Sequence, residues 1–193
     1  MKIGIDLDGV VLDTEKVFKN YAELYDIKEL KRDSTVKPNE IYIQDRYDWD
    51  EEEESNFLNK YLILGTKNAN IMPGAKEVIE ELRKDGHELI VITARGADIE
   101  EMIDTAKELI EKSQLKFDKY YWKVSNKAEI CQKENIDVMI DDNIYNCKKV
   151  ADEGIKTIYL RDSNIKTIEH PNIKECYLWG EIYRYISNLK KEI

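Results

Sequence analysis

Four separate segments of the chain place chemically versatile residues at points where strands are predicted to end. In chain order these residues are Asp6, Asp8, Thr93, Ala94, Arg95, Lys127, Asp141 and Asp142. Each one alone has an ordinary structural explanation, because acidic and threonine residues cap helices or form turns and lysine is usually solvated. However, the carboxyl ends of parallel strands meet at one edge of a sheet, where the reactive crevice lies. We therefore expect these residues to converge on one site.

The acidic members of this set indicate a metal ion. Four carboxylates at one sheet edge repel one another strongly unless a cation neutralises them. Oxygen ligands without His or Cys favour Mg²⁺ over zinc, and Mg²⁺ typically takes one or two carboxylates plus a substrate phosphate. Thr93 and Lys127 suit the remaining oxygens of a phosphoryl group. The sequence thus predicts a Mg²⁺ site that binds a small phosphorylated substrate.

Two hydrophobic periods alternate along most of the chain. Apolar runs predict strands over Lys2–Leu7, Glu88–Thr93, Lys119–Trp122, Asp137–Ile140 and Lys156–Leu160. Helical periods predict helices over Ala75–Lys84, Ile99–Lys112, Lys127–Glu134 and Tyr145–Glu153, with a terminal helix from Tyr177 to Ile193. This alternation predicts an α/β fold, a Rossmann-like parallel sheet with flanking helices.

One interval interrupts the alternation, because far more chain follows the first strand than a simple crossover needs. Within it, Thr14–Tyr25 and Asp50–Leu64 have helical periods, and Met72-Pro73-Gly74-Ala75 has the composition of a turn that starts a helix. We predict a small helical cap over residues 14–72, inserted into an α/β core formed by residues 1–13 and 73–193.

Composition excludes several classes of protein. The chain has 193 residues, 42% of them hydrophobic, and a formal net charge of −10. That charge argues against a nucleic-acid polymer or an anionic membrane surface as the partner. The apolar runs are too short to cross a bilayer, and no apolar signal region follows Met1. Three cysteines without CxxC spacing fit a reducing compartment, so we expect a cytoplasmic protein.

The ordered motifs carry a family resemblance. The segments Asp6-Leu7-Asp8-Gly9-Val10-Val11, Ile92-Thr93-Ala94-Arg95, Lys127 and Ile140-Asp141-Asp142 resemble the four motifs of the haloacid dehalogenase superfamily of phosphatases. Within it, the Ile-Thr-Ala-Arg motif, Lys127–Cys131 and the stretch Asp137–Asp162 are most similar to the cytosolic 5′-nucleotidase (deoxyribonucleotidase) branch. The resemblance implies a haloacid dehalogenase fold and a phosphomonoesterase.

The resemblance also implies roles for individual residues. Asp6 would attack the phosphorus to form an aspartyl-phosphate, and Asp8 would protonate the leaving alcohol and then activate water. Mg²⁺ would be held by the Asp6 carboxylate, the Asp8 main-chain carbonyl and Asp142, with Asp141 binding directly or through water. The phosphoryl oxygens would be held by Thr93, Ala94 and Lys127. The two-residue spacing of Asp6 and Asp8 supports this, since alternate strand residues share one side.

Substrate choice is expected to depend on the cap. The aromatic residues that could stack on a base are Phe18, Tyr42, Tyr47 and Trp49. Arg95 either contacts substrate or pairs with an Asp or Glu. The favoured function is a 5′-nucleotidase acting on (deoxy)nucleoside monophosphates. The alternatives are a phosphatase for a sugar or other small phosphate, and a non-catalytic phosphate-binding relative.

Overall fold

Six parallel strands form one sheet in the structure, a computed structural model that describes residues 1–32, 36–40, 42–97, 99–161 and 166–189 apart from the side chain of Gln44. The strands are β1 (Lys2–Ile5), β2 (Glu88–Ile92), β3 (Lys119–Tyr121), β4 (Val138–Asp141), β5 (Lys156–Leu160) and β6 (Ile173–Cys176). They lie in the order β3-β2-β1-β4-β5-β6, and every neighbouring pair is parallel. The predicted α/β class is therefore confirmed.

The described helices connect these strands. They are α1 (Thr14–Lys28), α2 (Ile43–Arg46), α3 (Glu51–Lys67), α4 (Ala75–Lys84), α5 (Glu101–Lys112), α6 (Lys127–Glu134), α7 (Ile144–Asp152) and α8 (Trp179–Leu189). None of the described helices is long and apolar enough to cross a membrane. The expected cytoplasmic location stays a prediction.

Two elements were missing from the sequence prediction. Strand β6 lies at the edge of the sheet beside β5, so only Cys176 of its four residues is buried. A short edge strand therefore lacks the continuous apolar run that marks a central strand. Helix α2 has four residues, too few to show a helical period. Residues 190–193 of the predicted terminal helix lie outside the described residues.

The sheet is buried on both faces, which explains its apolar strands. Ile3 and Ile5 belong to a large apolar cluster, whereas Ile90 and Met139 belong to a second one. Gly4 in β1 is required by close packing, since a Cβ there would lie 2.7 Å from the Met139 sulfur. The lack of a side chain at Gly4 therefore lets β1 pack closely against Met139.

The helices α1 to α3, which we call the cap helices, have an apolar cluster of their own. It is built from Ala22, Tyr25, Tyr47, Phe57 and Tyr61. Gly65 in α3 lets the helices approach closely, because a Cβ there would lie 2.7 Å from the Phe18 ring. Helix α3 begins with a capping box in which Asp50 and Glu53 satisfy each other's backbone N–H groups.

Two chain segments join the cap helices to the core, and they pair side by side. The Asp13 N–H donates to the Asn70 carbonyl at 3.0 Å, and the Met72 N–H donates to the Val11 carbonyl at 2.8 Å. The Asp13 carboxylate also accepts from the Asn70 N–H at 2.6 Å. This pairing lies directly beside the loop that follows β1. The limits of the cap, residues 14 and 72, stay a prediction.

Candidate active site

A cavity of about 170 Å³ opens at the carboxyl ends of β1, β2 and β4. Its lining residues are Asp6, Asp8, Glu15, Tyr42, Thr93, Ala94, Arg95, Lys127, Asp142, Asn143 and Asn146. Asp141 lies beneath it and is fully buried. The structure therefore brings together the eight core residues that the sequence singled out. Sequence reasoning missed Glu15, Asn143 and Asn146, although each lies close in sequence to a motif or a predicted helix start.

The loop after β1 turns at Gly9, beside the cavity. Gly9 has a backbone φ of 71°, in the left-handed region. In the same loop, the Leu12 N–H donates to the Leu7 carbonyl at 2.8 Å. A Cβ on Gly9 would lie 1.9 Å from a carboxylate oxygen of Asp142. Glycine is therefore needed here both for the backbone conformation and for the approach of Asp142.

Replacing Gly9 should damage the site beyond ordinary backbone strain. We expect Gly9→Ala to lower the free energy of unfolding by about 1–3 kcal/mol and to weaken Mg²⁺ binding, because Asp142 must move. Chemical denaturation and titration calorimetry measure the two effects. Gly86→Ala is the matched control, since Gly86 also has a positive φ, 81°, but a Cβ there has no atom within 4 Å. Equal Mg²⁺ affinity in both variants would contradict the role of Gly9.

Three buried or half-buried carboxylates form an acidic cluster at the base of the cavity. Asp6, Asp141 and Asp142 each offer an oxygen, and these atoms lie within 4.8 Å of one another. The Nζ of Lys127 lies 2.8 Å from one Asp6 oxygen and 2.6 Å from one Asp141 oxygen. The other Asp6 oxygen, Oδ1, is buried without a hydrogen-bond partner. An unpaired buried carboxylate oxygen within an all-oxygen donor set fits a divalent cation such as Mg²⁺.

Asp141 and Asp142 differ in how freely they can bind a metal. Asp141 accepts hydrogen bonds at both oxygens, from Lys127 at one and from the Asn143 N–H at 2.9 Å at the other. No hydrogen bond from the described residues reaches the carboxylate of Asp142. This difference favours Asp142 as a direct ligand and leaves Asp141 to orient Lys127.

Burial and mutual repulsion set the protonation of the cluster. Burial raises the pKa of Asp6 to about 7, although the Lys127 ammonium acts in the opposite direction. Burial also raises the pKa of Asp142 well above its usual range, and the carboxylates of Glu15 and Asp141 raise it further. Burial alone would lower the pKa of Lys127, but Asp141 and Asp6 outweigh it and raise that pKa. Asp141 and Asp6 therefore favour the charged form of Lys127.

The raised pKa of Asp6 predicts how Mg²⁺ should stabilise the protein at different pH values. The pKa is about 7 in the folded protein and 3.8 for an ordinary aspartate, so the proton on Asp6 stabilises the metal-free fold at low pH. That contribution is complete below about pH 4 and is lost as the pH rises through about 7. Since Mg²⁺ competes with this proton, Mg²⁺ should raise the Tm more at about pH 8 than at about pH 5.5.

Thermal unfolding with and without Mg²⁺ at the two pH values measures this difference. In Asp6→Asn the Tm shifts caused by Mg²⁺ at the two pH values should differ less, because residue 6 no longer binds a proton that competes with Mg²⁺. A Tm shift that is the same at both pH values in the unmodified protein would contradict Mg²⁺ binding at Asp6.

Asp8 faces a different partner from Asp6. The buried Arg95 guanidinium donates to both of its oxygens, through Nε at 3.0 Å and through Nη2, and the Thr14 hydroxyl donates at 2.8 Å. Burial would raise the pKa of Asp8, but the charge and hydrogen bonds of Arg95 outweigh it and lower that pKa. Asp8 is thus held as a carboxylate. Of the two interpretations of Arg95, the structure shows the ion pair.

The remaining core residues of the prediction lie around this ion pair. Thr93 is buried, and its hydroxyl accepts a hydrogen bond from the Arg95 N–H at 3.2 Å. Ala94 is exposed at the rim, where its backbone borders the cavity. Lys127 lies at the start of α6 and points at Asp6. Thr93, Ala94 and Lys127 therefore line the same cavity as Asp6 and Asp8, and their role in holding a phosphoryl group stays a prediction.

Only one of the four cap aromatics that the sequence suggested lines the cavity. That residue is Tyr42, whose hydroxyl accepts from the Asn143 side-chain amide at 3.1 Å. Phe18 packs over α3, and Tyr47 stacks on Trp49 with ring centres 4.5 Å apart inside the cap cluster. Trp49 also donates through Nε1 to Asp26 at 2.8 Å. Phe18, Tyr47 and Trp49 therefore serve cap packing in this structure.

Two curated proteins of similar sequence cover nearly the whole chain. A Bacillus cereus protein named "Putative nucleotidase" is 27% identical over 187 residues, covering 94% of this chain and 96% of its own length. A second protein of the same name, from Halalkalibacterium halodurans, is 23% identical over 198 residues, covering 98% of this chain and 94% of its own length. No protein-family model matches the chain.

Solved structures agree with this similarity at the level of the fold. A haloacid dehalogenase-like family hydrolase from Streptococcus pneumoniae superimposes with a TM-score of 0.68 at 20% identity, covering 96% of this chain and 97% of its own. A predicted phosphatase from Clostridium acetobutylicum gives a TM-score of 0.66 at 16% identity, covering 97% of this chain and 98% of its own. The protein therefore has the fold of the haloacid dehalogenase-like hydrolases.

Proposed function

We propose that the protein is a Mg²⁺-dependent phosphomonoesterase that works through an aspartyl-phosphate on Asp6. The observation that supports this most strongly is the setting of Asp6. Its buried carboxylate is held at one oxygen by Lys127, is unpartnered at the other, and faces the cavity at the carboxyl ends of the strands. A purely structural carboxylate would have both oxygens hydrogen-bonded.

The first step is attack of an Asp6 oxygen on the substrate phosphorus. A bond forms between that oxygen and phosphorus, and the bond to the leaving oxygen breaks. Lys127 and the backbone beside Thr93 stabilise the charge on the transferring phosphoryl oxygens. The leaving oxygen takes a proton from Asp8. For this step Asp8 must be protonated, which requires its release from Arg95. The second step needs Asp8 as a carboxylate, which is the form that Arg95 holds in the structure.

The second step returns Asp6 to its starting state. The Asp8 carboxylate removes a proton from a water molecule, whose oxygen attacks the phosphorus of the aspartyl-phosphate. The bond between phosphorus and the Asp6 oxygen breaks, which releases inorganic phosphate and restores the Asp6 carboxylate. Both steps use the same two side chains, which lie two residues apart on either side of Leu7.

Three groups would hold Mg²⁺: the carboxylates of Asp6 and Asp142 and the main-chain carbonyl of Asp8. When bound, the ion neutralises phosphate charge and the mutual repulsion of the acidic cluster. Asp141 contributes by fixing Lys127, since both of its oxygens are already engaged. None of these three groups is the Asp8 side chain, which stays available for proton transfer.

The substrates to test first are (deoxy)nucleoside 5′-monophosphates. The names of the two full-length relatives support this class. The alternative, a sugar or other small phosphate, is supported by the small size of the cavity and by the absence of Phe18, Tyr47 and Trp49 from its lining.

A phosphate-release screen tests the proposal. Purified protein is incubated with p-nitrophenyl phosphate, nucleoside and deoxynucleoside monophosphates and sugar phosphates, with Mg²⁺, with Ca²⁺ or with EDTA. We expect turnover with Mg²⁺ and none with EDTA. Ca²⁺ should inhibit, because it accepts more and longer oxygen contacts and can engage both Asp6 oxygens. Full activity with EDTA, or none on any substrate with Mg²⁺, would contradict the proposal.

A further inference from the structure

Among the polar side chains that line the cavity without a part in the phosphate chemistry described above, two come from the cap segment. Glu15 lies in the first turn of α1, and Tyr42 directly precedes α2. Both belong to the cap segment, yet both line the same cavity as Asp6. They therefore face the part of a substrate that lies on the cap side of the phosphate.

Glu15 presents an open hydrogen-bond acceptor. No hydrogen bond from the described residues reaches its carboxylate, and the side chain is only half-buried. An ionised carboxylate accepts hydrogen bonds and repels a phosphoryl group. The charges of Lys19 and Arg46 also act on Glu15, but neither residue lines the cavity. The partner open to Glu15 inside the cavity is therefore a hydrogen-bond donor on the leaving group.

Tyr42 presents the complementary donor. Its hydroxyl accepts from the Asn143 side-chain amide at 3.1 Å. That amide is fixed, because its oxygen accepts from the backbone N–H groups of Tyr145 at 2.9 Å and Asn146 at 3.3 Å. With its acceptor side used by Asn143, the Tyr42 hydroxyl keeps its own proton available to donate.

The size of the cavity limits which part of a substrate these two residues can contact. Its volume of about 170 Å³ is well below the roughly 300 Å³ at which pockets begin to enclose a whole drug-sized ligand. The phosphoryl group must occupy the end near Asp6 and Lys127. The rest of the enclosed space holds only the portion of the leaving group next to the phosphate.

We propose that Glu15 and Tyr42 form a subsite that recognises hydroxyl groups on the leaving group, as an acceptor and a donor respectively. The substrate class is a hydroxylated alkyl phosphate, either a free sugar phosphate or the ribose phosphate of a nucleotide. This inference rests on the proposed phosphatase function and deepens it. It replaces base stacking by Tyr42 with hydroxyl recognition.

The test compares one substrate without hydroxyls with two that have them. The kcat/KM of Glu15→Gln and Tyr42→Phe is measured on p-nitrophenyl phosphate, ribose 5-phosphate and uridine 5′-monophosphate. We expect losses of roughly tenfold or more on the two ribose phosphates and changes within about twofold on the aryl phosphate. Glu51→Gln and Tyr120→Phe are matched controls, because Glu51 also lies in a first helical turn and Tyr120 is an exposed tyrosine outside the cavity.

The outcomes separate the subsite from the catalytic proposal. Equal losses on all three substrates, or no loss in either variant, overturn the subsite while the phosphatase function stands. Absence of turnover by the unmodified protein on every substrate overturns the phosphatase function and the subsite with it. A similar kcat/KM for ribose 5-phosphate and uridine 5′-monophosphate supports a subsite that recognises the ribose phosphate without the base. A higher kcat/KM for the nucleotide supports the same subsite with an added base contact outside the cavity.

Discussion

Asp6→Asn should lower turnover of every substrate by about three orders of magnitude or more, because the amide cannot form the aspartyl-phosphate. The fold should persist. The introduced amide keeps an oxygen that can accept from Lys127, and the substitution removes a carboxylate that burial places at a raised pKa beside Asp141 and Asp142. We therefore expect an unfolding free energy near or above that of the unmodified protein when Mg²⁺ is absent.

Phosphate release, circular dichroism and thermal unfolding measure these effects together. Asp104→Asn is the matched control, since its side chain is 68% exposed in α5 and lies outside the cavity. It should retain full activity. Turnover by Asp6→Asn within about tenfold of the unmodified protein would eliminate Asp6 as the nucleophile, and so would a labelled phosphoenzyme formed by that variant.

The convergence of the core residues could be predicted from the sequence, because a parallel sheet places the ends of its strands at one edge. Asp6, Thr93 and Asp141 each follow a run that has the pattern of a buried strand, so their mutual placement follows from the fold class. The partners of individual side chains could not be predicted in this way. Asp8 could face either Arg95 or Lys127, and only the three-dimensional arrangement shows that it pairs with Arg95.

The positions of the cap aromatics could not be predicted from the sequence either. Aromatic side chains suit both the interior of a small helical unit and the face of a base, so residue type alone did not separate Tyr42 from Tyr47 and Trp49. Their separation depends on the turn around α2, which sends Tyr42 toward Asn143 and the other two into the cap cluster. Glu15 was missed because an acidic residue in a first helical turn is expected from the helix dipole.

Asp8→Asn is expected to separate the two chemical steps. The variant cannot supply a proton to the leaving oxygen or remove one from water, so turnover of alkyl phosphates should fall by about two to four orders of magnitude. A substrate with a good leaving group, such as p-nitrophenyl phosphate, needs no proton in the first step. With it, Asp6 should still be phosphorylated, and the phosphoenzyme should accumulate because the second step lacks its base.

Rapid quenching with an aryl phosphate measures this accumulation as one burst of p-nitrophenol per active site and as phosphate bound to the protein. The stability of the variant matters here, since Arg95 is fully buried and loses its anionic partner. Breaking such a pair can cost about 3–5 kcal/mol, although the introduced amide retains one acceptor oxygen. Arg95→Met with Asp8→Asn removes the unpaired charge and provides a second background for the burst. A burst in both backgrounds supports the assignment of Asp8, whereas steady turnover without a burst would mean that another group activates the water.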